Sequence, residues 1–199
     1  MSRDQIGNTP GGAGPGSAPI TIRDADERDL PAIAAIFNFE IAESAYVYVE
    51  AQLTLDDRRS WLQTHRSASL PVVVATDPGD ATEVRGWAAL SPYRGASGYR
   101  FTLEASVYVA RTSHRRGIGR RLMAALDEAA QARGVHAIVA SIDSENAPSI
   151  ALFERFGYVE AARLTEVGRK FERWRMLSLH PFGGNALPPN CLAFSPFWH

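Results

Sequence analysis

The stretch that decides the fold is His114-Arg115-Arg116-Gly117-Ile118-Gly119-Arg120-Arg121. It lies between a β-type run, Phe101 to Val109, and an amphipathic helical pattern, Leu122 to Arg133. Glycines at 117 and 119 leave the backbone without Cβ atoms just where the helix begins. The first N–H groups of a helix have no intrahelical partner, and the helix dipole favours negative charge at that end. Strand, glycine loop and helix start therefore make a seat for a phosphate or pyrophosphate, with Arg115, Arg116, Arg120 and Arg121 around it.

Two nucleotide sites are excluded by the same residues. A P-loop closes on Gly-Lys-Ser/Thr, and this loop closes on Gly119-Arg120-Arg121. A dinucleotide fingerprint needs a third glycine in the loop, whereas the next one, Gly134, lies beyond the whole helix. Taken alone, the loop also fits a plain Gly-rich connection with solvated arginines.

Outward from the loop, the pattern alternates strand and helix. Ile20 to Arg23 reads as a short strand, and Asp26 as the cap of a helix carrying Leu30, Ile33, Ile36, Phe37 and Ile41, with Pro31 in its first turn. Thr54 and Asp57 open a second helix with Leu55, Trp61 and Leu62 as its apolar positions. Pro71 to Thr76 and Val84 to Ser91 form a hairpin around the turn Asp77-Pro78-Gly79-Asp80. From Tyr99 to Val109 the chain alternates: Phe101, Leu103, Ala105, Val107 and Val109 on one side, Thr102, Glu104, Ser106 and Tyr108 on the other. The glycine-loop helix ends at Gly134. A strand (Val135 to Ser141), a helix (Ala147 to Phe156) and two strands (Tyr158 to Leu164, Lys170 to Leu179) complete an α/β (α+β) pattern, a mostly antiparallel sheet with helices on both faces. Residues 1–19, rich in Gly, Pro and Ser, read as a flexible arm, 20–180 as the domain, and 181–199 as an extension carrying Leu187, Leu192, Phe194, Phe197 and Trp198.

Composition narrows the function. A net charge of −1 gives no support to a nucleic-acid partner. One cysteine, Cys191, and five scattered histidines form no disulfide framework and no metal-ligand spacing. His114 falls in the glycine loop and His136 at a strand start, and nothing marks either as catalytic. With no membrane-length apolar run and no apolar leader core, the expectation is a cytoplasmic enzyme acting on a small anionic ligand.

At Arg116, Gly119 and position 121 the loop resembles the Gln/Arg-x-x-Gly-x-Gly/Ala motif of the GNAT superfamily of N-acetyltransferases, with Arg121 departing from Gly or Ala. Downstream, Asn146-Ala147-Pro148-Ser149 through Phe156-Gly157-Tyr158 resembles that family's Asn-x-x-Ser/Ala helix ending in Gly-Phe/Tyr. A narrower likeness, to phosphinothricin and methionine sulfoximine N-acetyltransferases, runs through Tyr93-Arg94, Tyr99-Arg100-Phe101-Thr102-Leu103-Glu104-Ala105-Ser106-Val107-Tyr108-Val109 and Gly168-Arg169-Lys170-Phe171-Glu172-Arg173-Trp174. The resemblance implies acetyl-CoA as cosubstrate and no metal. It implies a pyrophosphate cradle from Arg115, Arg116, Gly117, Ile118, Gly119, Arg120 and Arg121, with Asn146 and Ser149 near the pantetheine end. Val107, Tyr108 and Val109 would lie along the cofactor, a backbone N–H of Ser106 to Tyr108 polarising the acetyl carbonyl. It further implies a homodimer.

Acetyl transfer needs a neutral amine, and Glu104 is the expected base, working through water. By itself a Glu on a polar strand face reads first as a solvated or salt-bridged charge, and the resemblance is what turns the reading to a base. Arg94 and Arg100 suit a glutamate-like acceptor with two oxyanions, Tyr99 and Thr102 offer hydroxyls, and Lys170 and Arg173 lie in the matching C-terminal segment, at the pocket or a subunit interface. Phe153 stands where a tyrosine general acid is common and has no proton to give. Other expectations that stay open are a different small amine, a peptide N-terminus, or a non-catalytic acetyl-CoA sensor.

Overall fold

A computed structural model describes residues 19–183. Along the chain run β1 (Thr21–Asp24), α1 (Leu30–Glu43), α2 (Leu55–Ser67), β2 (Val72–Asp77), β3 (Asp80–Pro92), β4 (Thr102–Val109), α3 (Ile118–Ala132), β5 (Ala137–Asp143), α4 (Ala147–Glu154), β6 (Ala162–Lys170) and β7 (Arg173–Gly183). The strands form one seven-stranded sheet in the order β1-β2-β3-β4-β5-β7-β6. Neighbours are antiparallel except β4 and β5, which are parallel. This is the mostly antiparallel sheet flanked by helices on both faces that the alternating pattern implies.

Alternation divides the core in two. Leu103 and Ala105 of β4, with Ala88 and Leu90 of β3, face Ile118, Leu122, Met123 and Leu126 of α3 and Phe153 of α4. On the opposite face Trp87 and Ala89 meet Leu30 and Ile33 of α1 and Leu62 of α2, with Phe37, Trp61 and Tyr108 packed against them. Burying one row of each strand on each face is the main stabilising contribution, about 1.5–3 kcal/mol for each large side chain. Gly86 lets α3 seat closely, because a Cβ there would stand 2.8 Å from the Tyr108 carbonyl oxygen and 3.2 Å from Ile118 Cγ2.

Several boundaries differ from the sequence reading, each for a local reason. Asp26 caps a 3-10 turn, Glu27–Asp29, and α1 begins only at Leu30. Ser97–Tyr99 is another such turn, so β4 starts at Thr102 and Phe101 is exposed, covered by the Arg100 guanidinium 4.4 Å from its ring centre. Helix α3 starts one turn before Leu122. The last two strands shift most: Phe171 and Glu172, at φ 49° and 61°, make the hairpin turn, which puts Lys170 on β6 opposite Arg173. Two successive positive φ values are the mark of the hairpin turn that matches strand twist, usually signalled by Asn or Gly. β7 runs to Gly183, so Pro181, Phe182 and Gly183 are sheet residues paired with β5, not extension. The arm 1–18 and the tail 184–199, with Cys191, lie outside the described residues. Among the described residues no helix is long and apolar enough to cross a membrane.

Gly86→Val is expected to cost about 1–3 kcal/mol of unfolding free energy, the usual penalty of overpacking, read from the urea midpoint. An unchanged midpoint would show that α3 does not need this close approach.

Candidate active site

The parallel ladder between β4 and β5 is short. It pairs Thr102 with Ala137, Leu103 with Ile138 and Glu104 with Val139, and stops there. Beyond it β4 continues to Val109 against β3, and β5 continues to Asp143 against β7. The two strands thus diverge into a wedge whose walls carry backbone N–H and C=O groups with no ladder between them. Such groups need partners when water is excluded, so the wedge suits a slender guest that carries its own amides.

Both helices that follow these strands start at the open end. After β4, Arg115 (φ 63°) and Gly117 (φ 73°) turn the chain into α3. The first amide bonded within α3 is that of Arg121, donating to Gly117 O at 3.2 Å. The amides of Ile118, Gly119 and Arg120 precede it and have no partner within the helix. Gly119 lies against α4: a Cβ there would stand 3.1 Å from Leu152 Cδ2. After β5, Asn146 caps α4, its Oδ1 accepting from the Ser149 N–H at 3.2 Å.

The arginines of the loop divide. Arg115 and Arg120 are exposed at the seat. The Arg116 side chain donates to Asp77 Oδ1 at 2.6 Å and ties the loop to the β2–β3 hairpin. Together with Arg85 it holds the Asp77 carboxyl below the usual carboxylate range. Arg121 turns onto the residue before β1, donating to Ile20 O at 3.0 Å, which explains how this helix start accommodates a residue larger than Gly or Ala. Unpaired amides, an α-helix start and two exposed guanidiniums fit a pyrophosphate, and the wedge beside them fits the amide-bearing pantetheine arm of acetyl-CoA.

Glu104 stands at the last rung of the β4–β5 ladder, half-buried on the face covered by α1 and α2. Tyr108 is on the same face. Burial pushes its hydroxyl up to about 12; Arg58 opposes this, and Glu40 and Glu104 add to it. Its ring stacks on Trp87 at 4.7 Å and meets Phe37 edge-on at 5.0 Å, so Phe37 is core wall, while Phe39 is exposed. The loop before β4 brings the expected acceptor contacts to the Thr102 end. Arg94 lies over the rings of Tyr93 and Tyr99, and Arg100 over Phe101. Among the described residues neither guanidinium has a carboxylate partner. Lys170 does not join them. It is buried, and its ammonium donates to the Val49 carbonyl, which corrects its assignment to the acceptor. Phe153 is buried against Tyr158.

Two features escaped the sequence reading. Arg58 of α2 is buried in an aromatic cage, its guanidinium 4.3 Å from Phe37, 5.2 Å from Trp61 and 5.5 Å from Trp87. Asp143 at the end of β5 accepts from Arg175 at 2.7 and 2.9 Å and from the Tyr48 hydroxyl at 2.8 Å, and it holds the turn into Asn146 through the Glu145 N–H. Tyr48 reaches it across Gly168, where a Cβ would strike its ring. The connection between α1 and α2 is thereby pinned to the strand end that presents Asn146.

The acetyltransferase (GNAT) family model matches residues 35–158, more than half of the chain. The chain belongs to the GNAT acetyltransferase family. This acetyltransferase is 40% identical over 154 residues to the L-methionine sulfoximine/L-methionine sulfone acetyltransferase of Pseudomonas aeruginosa, an alignment covering 77% of this chain and 88% of the relative. Among solved structures it is similar to a phosphinothricin acetyltransferase of Sinorhizobium meliloti in complex with acetyl-CoA (TM-score 0.79, 28% identity, 85% of this chain and 92% of that one). It is also similar to a ribosomal-protein-alanine N-acetyltransferase of Brucella melitensis (TM-score 0.78, 39% identity, 82% and 99%). The protein is an acetyl-CoA-dependent N-acetyltransferase of this family.

The buried Asp143–Arg175 pair gives a prediction with a defined sign. Burial alone would raise the Asp143 carboxyl, but bonds from Arg175, the Glu145 amide and Tyr48 outweigh it and hold it below its ordinary value. Its contribution is present above the ordinary carboxylate pKa near 4 and is lost as pH falls through the depressed value. Arg175→Met should cost about 3–5 kcal/mol at neutral pH by leaving a buried charge unpaired. The cost should shrink between pH 7 and 3, because the Arg175 bonds that hold the carboxyl down are gone while burial, which raises it, remains. Parallel urea titrations at those pH values check both.

Proposed function

We propose that this acetyltransferase transfers the acetyl group of acetyl-CoA to the α-amino group of a glutamate-like amino acid, with Glu104 as the general base. The observation that carries the reading is the position of Glu104 at the rung where β4 and β5 part, so its carboxylate stands beside the apex of the wedge. The cosubstrate supplies the acetyl group as a reactive thioester. The chain's own residues do the rest. An α-ammonium has no lone pair, and the half-buried carboxylate of Glu104 takes its proton through water. Arg94 and Arg100, exposed and, among the described residues, without carboxylate partners, bind the acceptor's carboxylate and its tetrahedral or second acidic group in two-point fashion. Tyr99 and Thr102 contribute hydroxyl contacts from the same end of β4. Backbone N–H groups of Ser106 to Tyr108, on the strand that lacks its β5 partner, polarise the acetyl carbonyl. Ile118, Gly119 and Arg120 hold the pyrophosphate through their amides, with Arg115 and Arg120 adding charge.

The names of the Pseudomonas aeruginosa and Sinorhizobium meliloti relatives support a small amino-acid acceptor, and the chain's net charge of −1 offers nothing to a polyanion. The name of the Brucella melitensis structure favours a second reading, a protein N-terminal alanine as acceptor. Clustered arginines at the acceptor end favour the first. The functional unit in this proposal is a homodimer in the cytoplasm, and the exposed Val167, Phe171 and Trp174 at the β6–β7 edge of the sheet are apolar surface of the kind a subunit contact covers.

Thiol release from acetyl-CoA, measured with phosphinothricin, methionine sulfoximine, methionine sulfone, glutamate and an alanine-ended peptide, should favour the tetrahedral glutamate analogues. Glu104→Gln should lower kcat by about a hundredfold or more, the range for loss of a general base, with acetyl-CoA affinity unchanged. Turnover of the peptide alone would move the acceptor to the second class, and an unaffected Glu104→Gln enzyme would remove Glu104 from the mechanism.

A further inference from the structure

Helix α2 puts two ionisable side chains, Arg58 and His65, on its buried face with Leu62, where apolar residues are the rule. His65 is 4% exposed and contacts the Trp61 ring at 4.6 Å. Its Nδ1 lies 2.8 Å from the Trp61 carbonyl oxygen, and its Nε2 lies 3.0 Å from Ser91 Oγ. Ser91 is the residue directly opposite Glu104 in the β3–β4 register. Directly opposed residues of an antiparallel pair leave the same face of the sheet, their Cβ atoms about 4.5–5.5 Å apart. The hydroxyl held by His65 is thus the immediate neighbour of the proposed base.

The proton positions follow from the partners. A carbonyl oxygen only accepts, so Nδ1 carries the imidazole proton. In a neutral ring Nε2 then accepts, and the Ser91 hydroxyl donates to it. A Ser91 hydroxyl whose proton is given to Nε2 has only lone pairs left to offer Glu104. Burial keeps the ring neutral by lowering its affinity for a second proton. If the ring were charged, Nε2–H would donate to Ser91 and free the hydroxyl proton for the carboxylate.

We propose that the His65–Ser91 pair keeps Glu104 a strong base by withholding a hydroxyl proton that would otherwise bond to, and stabilise, its carboxylate. His65 is a positioning residue here, acting through Ser91, and the inference rests on the reading of Glu104 as the base. The charged groups of this face gather around Tyr108 on β4, which Glu104, Arg58 on α2 and Glu40 on α1 all influence, and the β5 neighbour of Glu104, Val139, is apolar. Among the described residues His65 bonds to no charged group.

The test is the pH profile of kcat/KM with acetyl-CoA and methionine sulfone for the wild type, His65→Leu, Ser91→Ala, the double variant and Glu104→Gln. In His65→Leu the released hydroxyl bonds to the carboxylate. The acid limb should move about one pH unit towards acid, and the plateau should fall about three- to tenfold as the base weakens. Adding His65→Leu to Ser91→Ala should change neither, because no hydroxyl remains to be released. An unmoved acid limb in His65→Leu, or the same loss in the Ser91→Ala background, would overturn the inference. Ring-nitrogen NMR of the wild type gives a readout independent of any variant's folding: a proton on Nδ1 and a bare Nε2 are expected, and a proton on Nε2 would overturn it. A fully active Glu104→Gln enzyme would instead defeat the base assignment itself, which separates the two failures.

Discussion

The structure depends on a ladder that stops. β4 and β5 pair over three residues and then part, because each is held on its outer side, β4 by β3 as far as Val109 and β5 by β7 as far as Asp143. The outer pairings keep both strands extended while the inner edge is open. An open seam inside a sheet is normally a cost, since backbone N–H and C=O groups there lack partners. Here the seam is flanked by the start of α3, whose first amides are unpaired within the helix, and by the Asn146-capped start of α4. Open backbone groups from two strands and the start of α3 therefore converge on one side of the domain. In the proposed mode a cosubstrate with a diphosphate and an amide-bearing arm satisfies both sets at once.

The two faces of the sheet are specialised in consequence. The face under α3 and α4 is apolar and closely packed, with Gly86 and Gly119 permitting helices to approach strand and helix backbones. The face under α1 and α2 mixes apolar residues with Arg58, His65, Glu104 and Tyr108. Burying charge is expensive, and the structure offsets part of that cost for Arg58 with three aromatic rings, each cation–π contact contributing about 0.5–2 kcal/mol. Such a face specifies electrostatics rather than stability alone. The Asp143–Arg175–Tyr48 network adds a mechanical link, because one carboxylate holds both the turn that presents Asn146 and the connection between α1 and α2.

Much of this was legible in the sequence where the signal is local. The glycines at 117 and 119 announced the turn into α3, strict alternation from Leu103 onwards placed Glu104 opposite the apolar row, and Asn146 announced the start of α4. What escaped was set at a distance. The Asp143–Arg175 pair joins residues 32 apart, and nothing in either neighbourhood marks it. Arg58 and His65 were overlooked because helical periodicity counts apolar residues, and these two occupy core positions as polar ones. The β6–β7 hairpin was misplaced because its turn is made by Phe171 and Glu172 without Gly or Asn. The ion pair of Arg116 with Asp77 was equally out of sight, because the β2–β3 hairpin brings the carboxylate from 39 residues away. Lys170 read as an acceptor contact because the motif carries it, and the Val49 carbonyl takes its ammonium instead.

Amide hydrogen exchange with and without acetyl-CoA tests the central claim most directly, since the claim concerns backbone groups that lack partners until the cosubstrate supplies them. Binding should slow exchange within Ala105–Val109 and at Ile118, Gly119 and Arg120, with little change along β1, β2 or α2. Tight binding that left those amides exchanging as before, or that protected a different face of the sheet, would contradict the wedge as the acetyl-CoA site.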